Sequence, residues 1–598
     1  MNDDKALLTK AKIYSLLDLA LNIPISYSDT TLSSNIEYGK KNILQAVVKS
    51  INSYNNKLYI EFYLPKFDRY IKGIFFRVTF YHFKIFVIGS EHYIEGKVEL
   101  YGEKLQINQP KSLQNINRIN PKYKTNLKQN EIIYLIERYI SKQSLLNEGL
   151  NEIEVDTILK LHNPNTIDEI YNEKEYRDDI LKVLKFVEAF NHIKKLSKKK
   201  RDYPPMKTLN GDIREFINNL EFKLTPEQIK VINDIERDLK SPKKATKRMV
   251  VGDVGSGKTM VILASIMMSY PNKSILMAPT SILAQQLYDE AQKHLPNHIK
   301  SVLIMQGAKK SGDLEEFDVI IGTHALLFRE DLPSAPLVMV DEQHRFGSKQ
   351  RQRLENMMGN SDKKAHYIQF SATPIPRTQA MMNSAMIDVS LITSTPFKKD
   401  IESIIISKND FRELLSHIED EISQNHQVVI IYPLVEASES IEYQSLEESI
   451  EFWQNRFENF YYTHGKDKNK EKTLIEFREK GDILLATTVV EVGISLPRLT
   501  TIVIVGAERL GLASLHQLRG RVGRNGLKSR CYLYTNNLPN SRLEQFAKTT
   551  SGFDIALLDL KYRKSGDLLD GSIQSGVKNR WLDMATDYDI IKEASRRI

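Results

Sequence analysis

The feature that most constrains the fold of this chain is the alternation of short apolar runs with amphipathic stretches from residue 247 onward. The runs are RMVVGD, SILMAPT, DVIIGT, LVMVDE, VVIIYP, ILLATT and TIVIVG. Strands that alternate with helices form parallel sheets whose two faces are covered by the helices. Because the pattern breaks near residues 396–400, we predict two tandem doubly wound parallel-sheet α/β domains, over residues 206–400 and 401–542.

The region before these domains shows two other patterns. Residues 40–110 contain short segments rich in β-branched and aromatic residues, separated by turn residues. About five strands in so short a region suit a small closed β-barrel such as an OB-fold, whose face binds nucleic acid. We place this barrel at about 40–112 within an N-terminal domain of residues 1–125. Apolar residues at helical spacing then predict a helical linker region over 126–205.

The positive charge of the chain is concentrated at its N-terminal end. Residues 1–130 contain 19 Lys and Arg against 11 Asp and Glu, whereas the other 468 residues contain 65 of each sign. A basic region attached to a neutral body favours a polyanionic partner. Lysines that merely keep the surface soluble explain the charge equally well, so both interpretations stay open at this point.

Three features exclude other classes of protein. The single cysteine, Cys531, excludes a disulfide framework and a Cys-based zinc cluster. No apolar run approaches the length needed to cross a bilayer. The first residues, MNDDKALLTK, lack the apolar core of a secretory signal. We therefore expect a soluble cytoplasmic protein with no membrane partner.

The strongest chemical motif follows the first apolar run. Residues 252–259 match GxxxxGK[ST] and lie between a predicted strand and a predicted helix. In that arrangement, backbone N–H groups and the helix N-terminus bind phosphate. The lysine would contact the β- and γ-phosphates of ATP, and the threonine hydroxyl would bind Mg²⁺. The expected nucleotide-binding residues are Gly252, Asp253, Val254, Gly255, Ser256, Gly257, Lys258 and Thr259.

Two adjacent carboxylates follow the apolar run LVMV. Asp341 is expected to hold Mg²⁺, and Glu342 to polarise the attacking water as general base. Alone, such a pair at a strand end is more often an ordinary surface turn. Its combination with the phosphate-binding loop favours the functional interpretation.

A basic segment, HQLRGRVGR at residues 516–524, lies in the second predicted α/β domain. Arg521 and Arg524 are three residues apart and share one face if the segment is helical. An ATPase of two such domains needs cations from the second to stabilise the charge that develops on the γ-phosphate. We predict this role for the two arginines, with Gln517 as a further catalytic residue. The alternative is a basic helix that contacts phosphate or solvent.

Taken together, these motifs resemble those of the RecG family of superfamily 2 helicases. The matching stretches, in the family's order, are FKLTPEQ (222–228), GDVGSGKT (252–259), APTSILAQQ (278–286), GTHAL (322–326), DEQHRFG (341–347), FSATPIPRT (370–378), HGK (464–466), ATTVVEVGI (486–494) and ERLGLASLHQLRGRVGR (508–524). The resemblance implies two RecA-like domains that use ATP and Mg²⁺, with Gln228 near the adenine. It also implies an OB-like wedge domain before them and a helical hairpin with a C-terminal tail over 543–598.

The resemblance further implies residues that contact DNA. Threonines of both RecA-like domains would alternate their grip on backbone phosphate, and aromatic residues of TFYHF (79–83) would stack on bases at a junction. We interpret TFYHF as part of a β segment, so the alternation of side chains places some of its aromatics in the core. The candidate contacts are Thr280, Thr323, Thr487, Thr488, Phe80, Tyr81 and Phe83.

Other residues resemble those that couple hydrolysis to DNA movement. Thr373 belongs to this group, as do LDLKYRKSGDLL (558–569) and IQSG (573–576), which resemble the family's translocation motif and include Arg563 and Gln574. The chain departs from the family pattern at residues 563–566, which read Arg-Lys-Ser-Gly in place of Arg-Gly-Pro-Gly. Losing a Gly and a Pro changes the backbone angles that a turn there can adopt. A second departure is Ser495, where the family commonly has Asp.

The function implied by the resemblance is an ATP-dependent double-stranded DNA translocase. It would unwind and remodel branched DNA, such as stalled replication forks, Holliday junctions, D-loops and R-loops, in recombination and DNA repair. A monomer is expected, with single-stranded-DNA-binding protein as a candidate partner. The alternatives are a transcription-repair-coupling translocase, a DExH RNA helicase and a non-catalytic junction-binding scaffold. The coupling translocase would have extra polymerase-binding domains, and the RNA helicase would show ATP hydrolysis that RNA stimulates. In the scaffold, ATP hydrolysis would no longer be coupled to DNA movement.

Overall fold

The computed structural model describes residues 2–77, 79–102, 104–172, 175–305, 313–342, 346–357, 359, 362–373, 375–396, 400–436, 442–488, 495–523, 526–570 and 579–598. The chain forms two compact units. The first contains the described residues of 1–191, with 579–582 and 597. The second contains the described residues of 192–578, with 583–596 and 598. Within the described residues, no helix is both long and apolar enough to cross a membrane.

The first unit contains a closed β-barrel. Before it come α1 (Asn2–Lys10), α2 (Leu16–Ala20) and β1 (Ser26–Asp29). The barrel region contains β2 (Lys41–Tyr54), β3 (Lys57–Leu64), β4 (Arg69–Phe75), α3 (Phe80–Ile85), β5 (Glu91–Tyr101), β6 (Lys104–Asn108) and β7 (Lys111–Leu113). The strand order is β2-β3-β4-β6-β5, and β5 pairs with β2 to close the ring. Only the β4–β6 pair of this ring is parallel. This is the predicted OB-like barrel.

Alternating side chains fill the barrel. Every second residue of β3 is buried, and the same alternation runs from Leu44 to Val48 in β2. It puts Leu44, Ala46 and Val48 inside together with Leu58, Ile60 and Phe62. A helix, α3, lies in the chain between β4 and β5. The sequence prediction of a β segment here is therefore wrong. The imidazole Nδ1 of His82 accepts a hydrogen bond from the N–H of Thr79 at 3.2 Å and closes the first turn of this helix.

Short strands and helices complete the first unit. Strand β8 (Ile119–Lys122) pairs with β1. It is followed by α4 (Gln129–Tyr139), α5 (Lys142–Asn147), α6 (Glu152–His162), the two-residue strands β9 (Tyr171–Asn172) and β10 (Glu175–Tyr176), and α7 (Asp178–Ser197), of which the residues to 191 belong to this unit. The predicted helical character of this region is therefore present, with one small hairpin inside it.

The second unit begins with a seven-stranded sheet. Its elements are α8 (Arg214–Asn218), α9 (Pro226–Leu239), β11 (Lys247–Gly252), α10 (Lys258–Ser269), β12 (Ser274–Ala278), α11 (Ser281–His294), β13 (Ser301–Ile304), β14 (Val319–Thr323), β15 (Leu337–Asp341), α12 (Ser348–Met357), β16 (His366–Ser371), α13 (Arg377–Asn383) and β17 (Asp388–Ile392). The order is β13-β14-β12-β15-β16-β11-β17, and all pairs are parallel. We call this part the first α/β domain.

A six-stranded parallel sheet follows in the same unit. Its elements are β18 (Ile401–Ile406), α14 (Phe411–Ser423), β19 (Gln427–Ile431), α15 (Leu446–Gln454), β20 (Phe460–Thr463), α16 (Lys470–Lys480), β21 (Ile483–Ala486), β22 (Leu499–Val505), α17 (Leu512–Arg519), β23 (Ser529–Tyr534), α18 (Ser541–Lys548) and α19 (Gly552–Asp570). The order is β18-β23-β22-β19-β21-β20. We call this part the second α/β domain. A last helix, α20 (Tyr588–Arg596), contacts α13.

The predicted fold class, with two tandem RecA-like domains after an OB-like barrel, is confirmed. The backbone of residues 563–566, which we expected in a turn, is instead helical and belongs to α19. Parallel strands bring their carboxyl ends to one edge of the sheet, where α/β proteins bind ligands. In the first α/β domain, these strand ends are Gly252, Thr323, Asp341 and Ser371. The candidate site therefore forms along this edge.

Candidate active site

The phosphate-binding loop connects β11 to α10, as predicted. Gly257 has a φ of 75°, in the left-handed region that favours glycine, and it directly precedes the first residue of α10. A side chain there would also displace the amide of Gln228, because a Cβ would lie 2.2 Å from its Nε2. The loop thus presents the N-terminus of a 12-residue helix without obstruction, the arrangement that binds phosphate.

Lys258 occupies the centre of the loop. Its ammonium donates hydrogen bonds to the carbonyl oxygens of Gly252 at 2.8 Å and Asp253 at 3.0 Å. Burial lowers the pKa of Lys258, and the neighbouring Arg521 lowers it further, although nearby carboxylates oppose the shift. A buried ammonium of this kind favours an anion beside it. Thr259, the next residue, is half-buried in the first turn of α10.

Asp341 and Glu342 follow one another at the end of β15. Burial, together with the charge of Glu342, raises the pKa of Asp341, and Lys258 opposes that shift. Glu342 has a φ of 52°, an uncommon backbone conformation for a residue with a side chain. Its carboxylate accepts a hydrogen bond from the N–H of Ala372 at 2.7 Å. Asp341 and Glu342 both lie close enough to Lys258 to raise its pKa, so two carboxylates, the kind of oxygen ligand that Mg²⁺ prefers, stand beside the phosphate-binding loop.

Gln228 supports the loop. Its Nε2 donates to the carbonyl oxygen of Ser256 at 2.9 Å, and its Oε1 accepts from the N–H of Thr225 at 2.7 Å. Thr225 also caps α9, so the first turn of this helix is fixed against the phosphate-binding loop. The predicted position of Gln228 near the adenine stays a prediction.

Helix α17 of the second α/β domain reaches the first domain. Nε2 of Gln517 donates to the hydroxyl of Thr373 at 2.7 Å, so a predicted catalytic residue contacts a predicted coupling residue. Gly520 lies so close to the phosphate-binding loop that an added Cβ would be 2.7 Å from Cγ1 of Val254. Arg521 is near enough to Lys258 to lower its pKa. The two α/β domains are thus closed on one another around the loop.

The candidate DNA-contacting threonines lie at strand ends and helix starts. The hydroxyl of Thr280 accepts a hydrogen bond from Leu283 N–H and caps α11. Thr323 is buried, and its hydroxyl accepts from Ala325 N–H. In the second α/β domain, residues 487 and 488 directly follow β21, the first half-buried and the second exposed. Their predicted contacts with DNA stay predictions.

The three candidate aromatics of the barrel all lie on α3 and all face solvent. Phe80, Tyr81 and Phe83 are 87%, 66% and 44% exposed. The expectation that some of them lie in the core is wrong, because it assumed the alternation of a strand. The buried aromatics of this region are instead Phe75 and Phe86, whose rings are 5.5 Å apart. A short helix with three exposed aromatic rings suits base stacking.

Some predicted site residues cannot be placed in the same detail. Arg563 lies within α19. Arg524 and Gln574 lie outside the described residues.

The sequence did not predict one contact of the site, which joins two residues far apart in the chain. The imidazole of His516 on α17 forms a hydrogen bond with the carboxylate of Asp253 in the phosphate-binding loop. No local pattern signals this pair, because 263 positions separate its members.

Comparisons with known proteins agree with this geometry. Residues 225–382 match the family model of DEAD/DEAH box helicases, and residues 409–526 match that of the helicase conserved C-terminal domain. The chain is 43% identical over 609 residues to the ATP-dependent DNA helicase RecG of Helicobacter pylori, with 100% of this chain and 98% of the relative covered. It is 32% identical over 647 residues to the ATP-dependent DNA helicase RecG of Aquifex aeolicus, with 95% and 80% covered.

A solved structure is also similar over the whole chain. It is described as RecG bound to a three-way DNA junction. The TM-score is 0.58 and the sequence identity 26%, with 100% of this chain and 84% of that chain covered.

Proposed function

Because this chain belongs to the RecG family of ATP-dependent DNA helicases, we propose that it hydrolyses ATP to unwind and remodel branched double-stranded DNA. Stalled replication forks, four-way junctions, D-loops and R-loops are the proposed substrates, in recombination and DNA repair. The observation that carries the proposal is the length of the match, which includes the barrel as well as the two α/β domains. A DExH RNA helicase, one of the alternatives, would be expected to lack that barrel.

The phosphate-binding loop and Lys258 are proposed to bind the phosphates of ATP. The ammonium is bonded to two main-chain carbonyls of its own loop. Phosphate oxygens are stronger acceptors than carbonyls because they are charged, so the ammonium would exchange these bonds for bonds to the β- and γ-phosphates. The lowered pKa of this buried lysine means that an anion beside it is stabilising.

Thr259 and Asp341 are proposed to hold Mg²⁺. When bound, the ion would neutralise negative charge on the phosphates. Glu342 is proposed to act as the general base, and its carboxylate is fixed by the N–H of Ala372. The left-handed backbone at Glu342 is consistent with such a role, since strained conformations cluster at functional sites.

The second α/β domain is proposed to complete the site. Arg521, with Arg524, would stabilise the charge that develops on the γ-phosphate in the transition state. The hydrogen bond from Gln517 to Thr373 would form only when the two α/β domains are closed. Because these groups come from different domains, hydrolysis would depend on closure, and each cycle would open and close the cleft.

The proposed DNA-contacting residues have two roles. The threonines at the strand ends, Thr280, Thr323, Thr487 and Thr488, would contact backbone phosphate and so grip duplex of any sequence. The exposed rings of α3 would stack on unpaired bases where the strands separate. Together they would select a junction by its shape.

The test is ATP hydrolysis by the purified full-length chain with several nucleic acids. The set comprises no nucleic acid, linear duplex, single-stranded DNA, RNA and a three-way junction of the same sequence. We expect the junction to stimulate hydrolysis most strongly. Equal stimulation by linear duplex would refute the proposed preference for branches. Stimulation by RNA alone would support the DExH RNA helicase alternative instead.

A further inference from the structure

The amino ends of the parallel strands in the first α/β domain carry a concentration of lysine. Strand β11 begins with Lys247, Lys273 directly precedes β12, and Lys364 lies two residues before β16. The phosphate-binding loop follows the other end of β11, and Thr280 and Thr323 lie at the carboxyl ends of β12 and β14. A strand of five residues spans about 17 Å, so the lysines lie at the opposite edge of the sheet from the candidate active site.

A basic segment of the chain runs along this opposite edge. It comprises residues 198–207, which read KKKRDYPPMK. The carbonyl oxygen of Tyr203 accepts a hydrogen bond at 2.6 Å from the N–H of Ala245, just before β11. The N–H of Met206 donates to the carbonyl oxygen of Lys364 at 2.8 Å, just before β16. The segment therefore adds its charges to those of the strand starts.

We call this surface the basic edge and define it as residues 198–207, 243–247, 273 and 362–364. It contains 11 Lys and Arg against two Asp. Two further carboxylates bond to its lysines, because Asp388 pairs with Lys200 and Lys244, and Glu315 pairs with Lys273. With all four carboxylates counted against the 11 cations, the net charge is +7. Such an excess, within a part of the chain that is neutral overall, favours a polyanion.

Most of the cations of the basic edge face solvent. The exposed ones are Lys198, Lys199, Arg201, Lys207, Lys243, Lys247 and Lys363. The ammonium of Lys207 donates to Oδ1 of Asn272 at 3.1 Å, and that of Lys364 to the carbonyl oxygen of Gly359 at 2.6 Å. Both acceptors are uncharged, so these bonds do not neutralise the ammonium groups. A phosphate oxygen is charged and would form the stronger bond.

Part of the basic edge is concave. A cleft of about 890 Å³ is lined by Lys207, Lys273 and Lys363, with the single carboxylate of Asp362 among its lining side chains. A cleft that is lined mainly by one sign of charge concentrates the electric field and attracts ions of the opposite sign.

The geometry of the basic edge fits the backbone of duplex DNA better than a single strand. Proteins that bind single strands usually offer exposed aromatic rings on which the bases stack. The one aromatic residue of the basic edge, Tyr203, is half-buried, and the ammonium of Lys364 lies 5.7 Å from the centre of its ring. The edge crosses the starts of five neighbouring strands, β12-β15-β16-β11-β17. At about 4.8 Å between strands this is about 19 Å, the length of roughly six base pairs.

We propose that the basic edge is a second DNA-binding surface, which holds a segment of duplex by its phosphates. It is separate from the contacts proposed for Thr280 and Thr323, which lie at the other edge of the same sheet. A branched DNA has several duplex arms, so a different arm would occupy each edge. The assignment of an arm rests on the proposed function, whereas the binding of duplex by the basic edge does not.

The first experiment locates the DNA by chemical labelling of amines in the full-length chain, with mass spectrometry as the readout. Labelling rates are compared without nucleic acid, with a linear duplex and with a single strand of the same length. An ammonium that contacts phosphate is shielded, so we expect the duplex to slow the labelling of Lys207, Lys243 and Lys247 by roughly fivefold or more. The single strand should slow it less.

The second experiment measures how the affinity for the linear duplex depends on salt. The triple variant Lys207→Gln, Lys243→Gln and Lys247→Gln removes three exposed cations. Each lost phosphate contact lowers the slope of log affinity against log salt by about 0.9, so the slope should fall by about 2.7. The affinity should fall about tenfold or more. ATP hydrolysis without DNA should stay at the wild-type rate, because these lysines lie at the edge opposite to the phosphate-binding loop.

The matched control removes the same charge from the second α/β domain. It combines Lys408→Gln, Lys472→Gln and Lys480→Gln, three lysines that are also exposed. This variant should keep the wild-type salt slope and affinity. An equal loss in both variants would show that net charge alone governs binding, and the basic edge would lose its assignment.

Two other results would overturn the proposal. One is labelling of Lys207, Lys243 and Lys247 that the duplex does not slow, and the other is protection by the single strand equal to that by the duplex. Failure of the proposed function is distinguishable from both. If the wild type unwinds no junction but the triple variant loses the salt slope, the proposed substrate is wrong and the basic edge stands. If junctions are unwound and these lysines stay unprotected, the basic edge alone is wrong.

Discussion

Gly520 provides a sharp test of domain closure, because it directly follows α17 and packs against Val254 of the phosphate-binding loop. Its φ of −65° is open to any residue, so alanine there causes no backbone strain. A Cβ, however, would lie 2.7 Å from Cγ1 and 2.9 Å from Cβ of Val254. Ordinary van der Waals contact begins at 3.4 Å. Gly520→Ala must therefore push the two domains apart by about 0.7 Å, the difference between 3.4 and 2.7 Å.

This displacement acts on the groups that must meet across the cleft. Arg521 follows Gly520 directly, and Gln517 donates to Thr373 over only 2.7 Å. A misplacement of about 1 Å at a catalytic group costs on the order of a hundredfold in rate. For the smaller shift here, we expect the turnover number for ATP to fall by about tenfold to a hundredfold. Thermal unfolding should change little, since the collision lies between domains.

The assay is steady-state ATP hydrolysis at saturating junction DNA. Gly511→Ala is the matched control, because it lies beside the start of the same helix and has no atom within 4 Å of an added Cβ. It should retain wild-type turnover. The double variant Gly520→Ala with Val254→Ala removes the closest methyl group and should recover part of the rate. Wild-type turnover in Gly520→Ala would show that the domains do not close this tightly during catalysis.

Three further predictions address other parts of the molecule. Lys258→Ala should reduce ATP hydrolysis to background while junction binding on a native gel stays within about twofold of wild type, since the barrel is unchanged. Phe80→Ala with Tyr81→Ala should weaken junction binding by roughly tenfold or more through lost stacking, whereas the equally exposed Tyr54→Ala should not. Burial lowers the pKa of His162 from 6.5 to about 4, so the unfolded chain takes up the proton first as pH falls. Stability is therefore retained above pH 6.5 and falls by about 3 kcal/mol towards pH 4, and denaturant unfolding of His162→Gln should show a shallower pH slope.

The local sequence predicted most of the nucleotide-binding side of the first α/β domain. A glycine-rich loop that ends in Lys258 needs a strand before it and a helix after it, and both are present. Paired carboxylates after an apolar run predicted the end of β15, where Asp341 and Glu342 lie. These predictions succeeded because each depends on contacts within a few residues, or on the rule that parallel strands end at one edge.

The errors have equally local causes. The segment around Phe80 and Phe83 is apolar and aromatic, which favours a strand by composition. The bonds from Thr79 to His82 instead start a helix, and all its aromatic rings then face solvent. Residues 563–566 were expected in a turn from the family pattern, yet without proline there the backbone continues as α-helix.

Contacts between the domains could not be predicted from sequence. The bond between His516 and Asp253 and the close approach of Gly520 to Val254 join positions more than 260 residues apart. No periodicity or motif encodes which residues of α17 face the phosphate-binding loop. Such pairs depend on how two complete domains meet, so only a three-dimensional structure reveals them.

The most direct test of the central claim is the rate of strand separation from a three-way junction, followed in real time by fluorescence with ATP and Mg²⁺. The same sequence in a linear duplex serves as the comparison, and Lys258→Ala as the inactive reference. The account predicts ATP-dependent separation of the junction, little separation of the duplex, and none with Lys258→Ala. Separation of both DNAs at equal rates, or ATP hydrolysis with no separation of the junction, would contradict it.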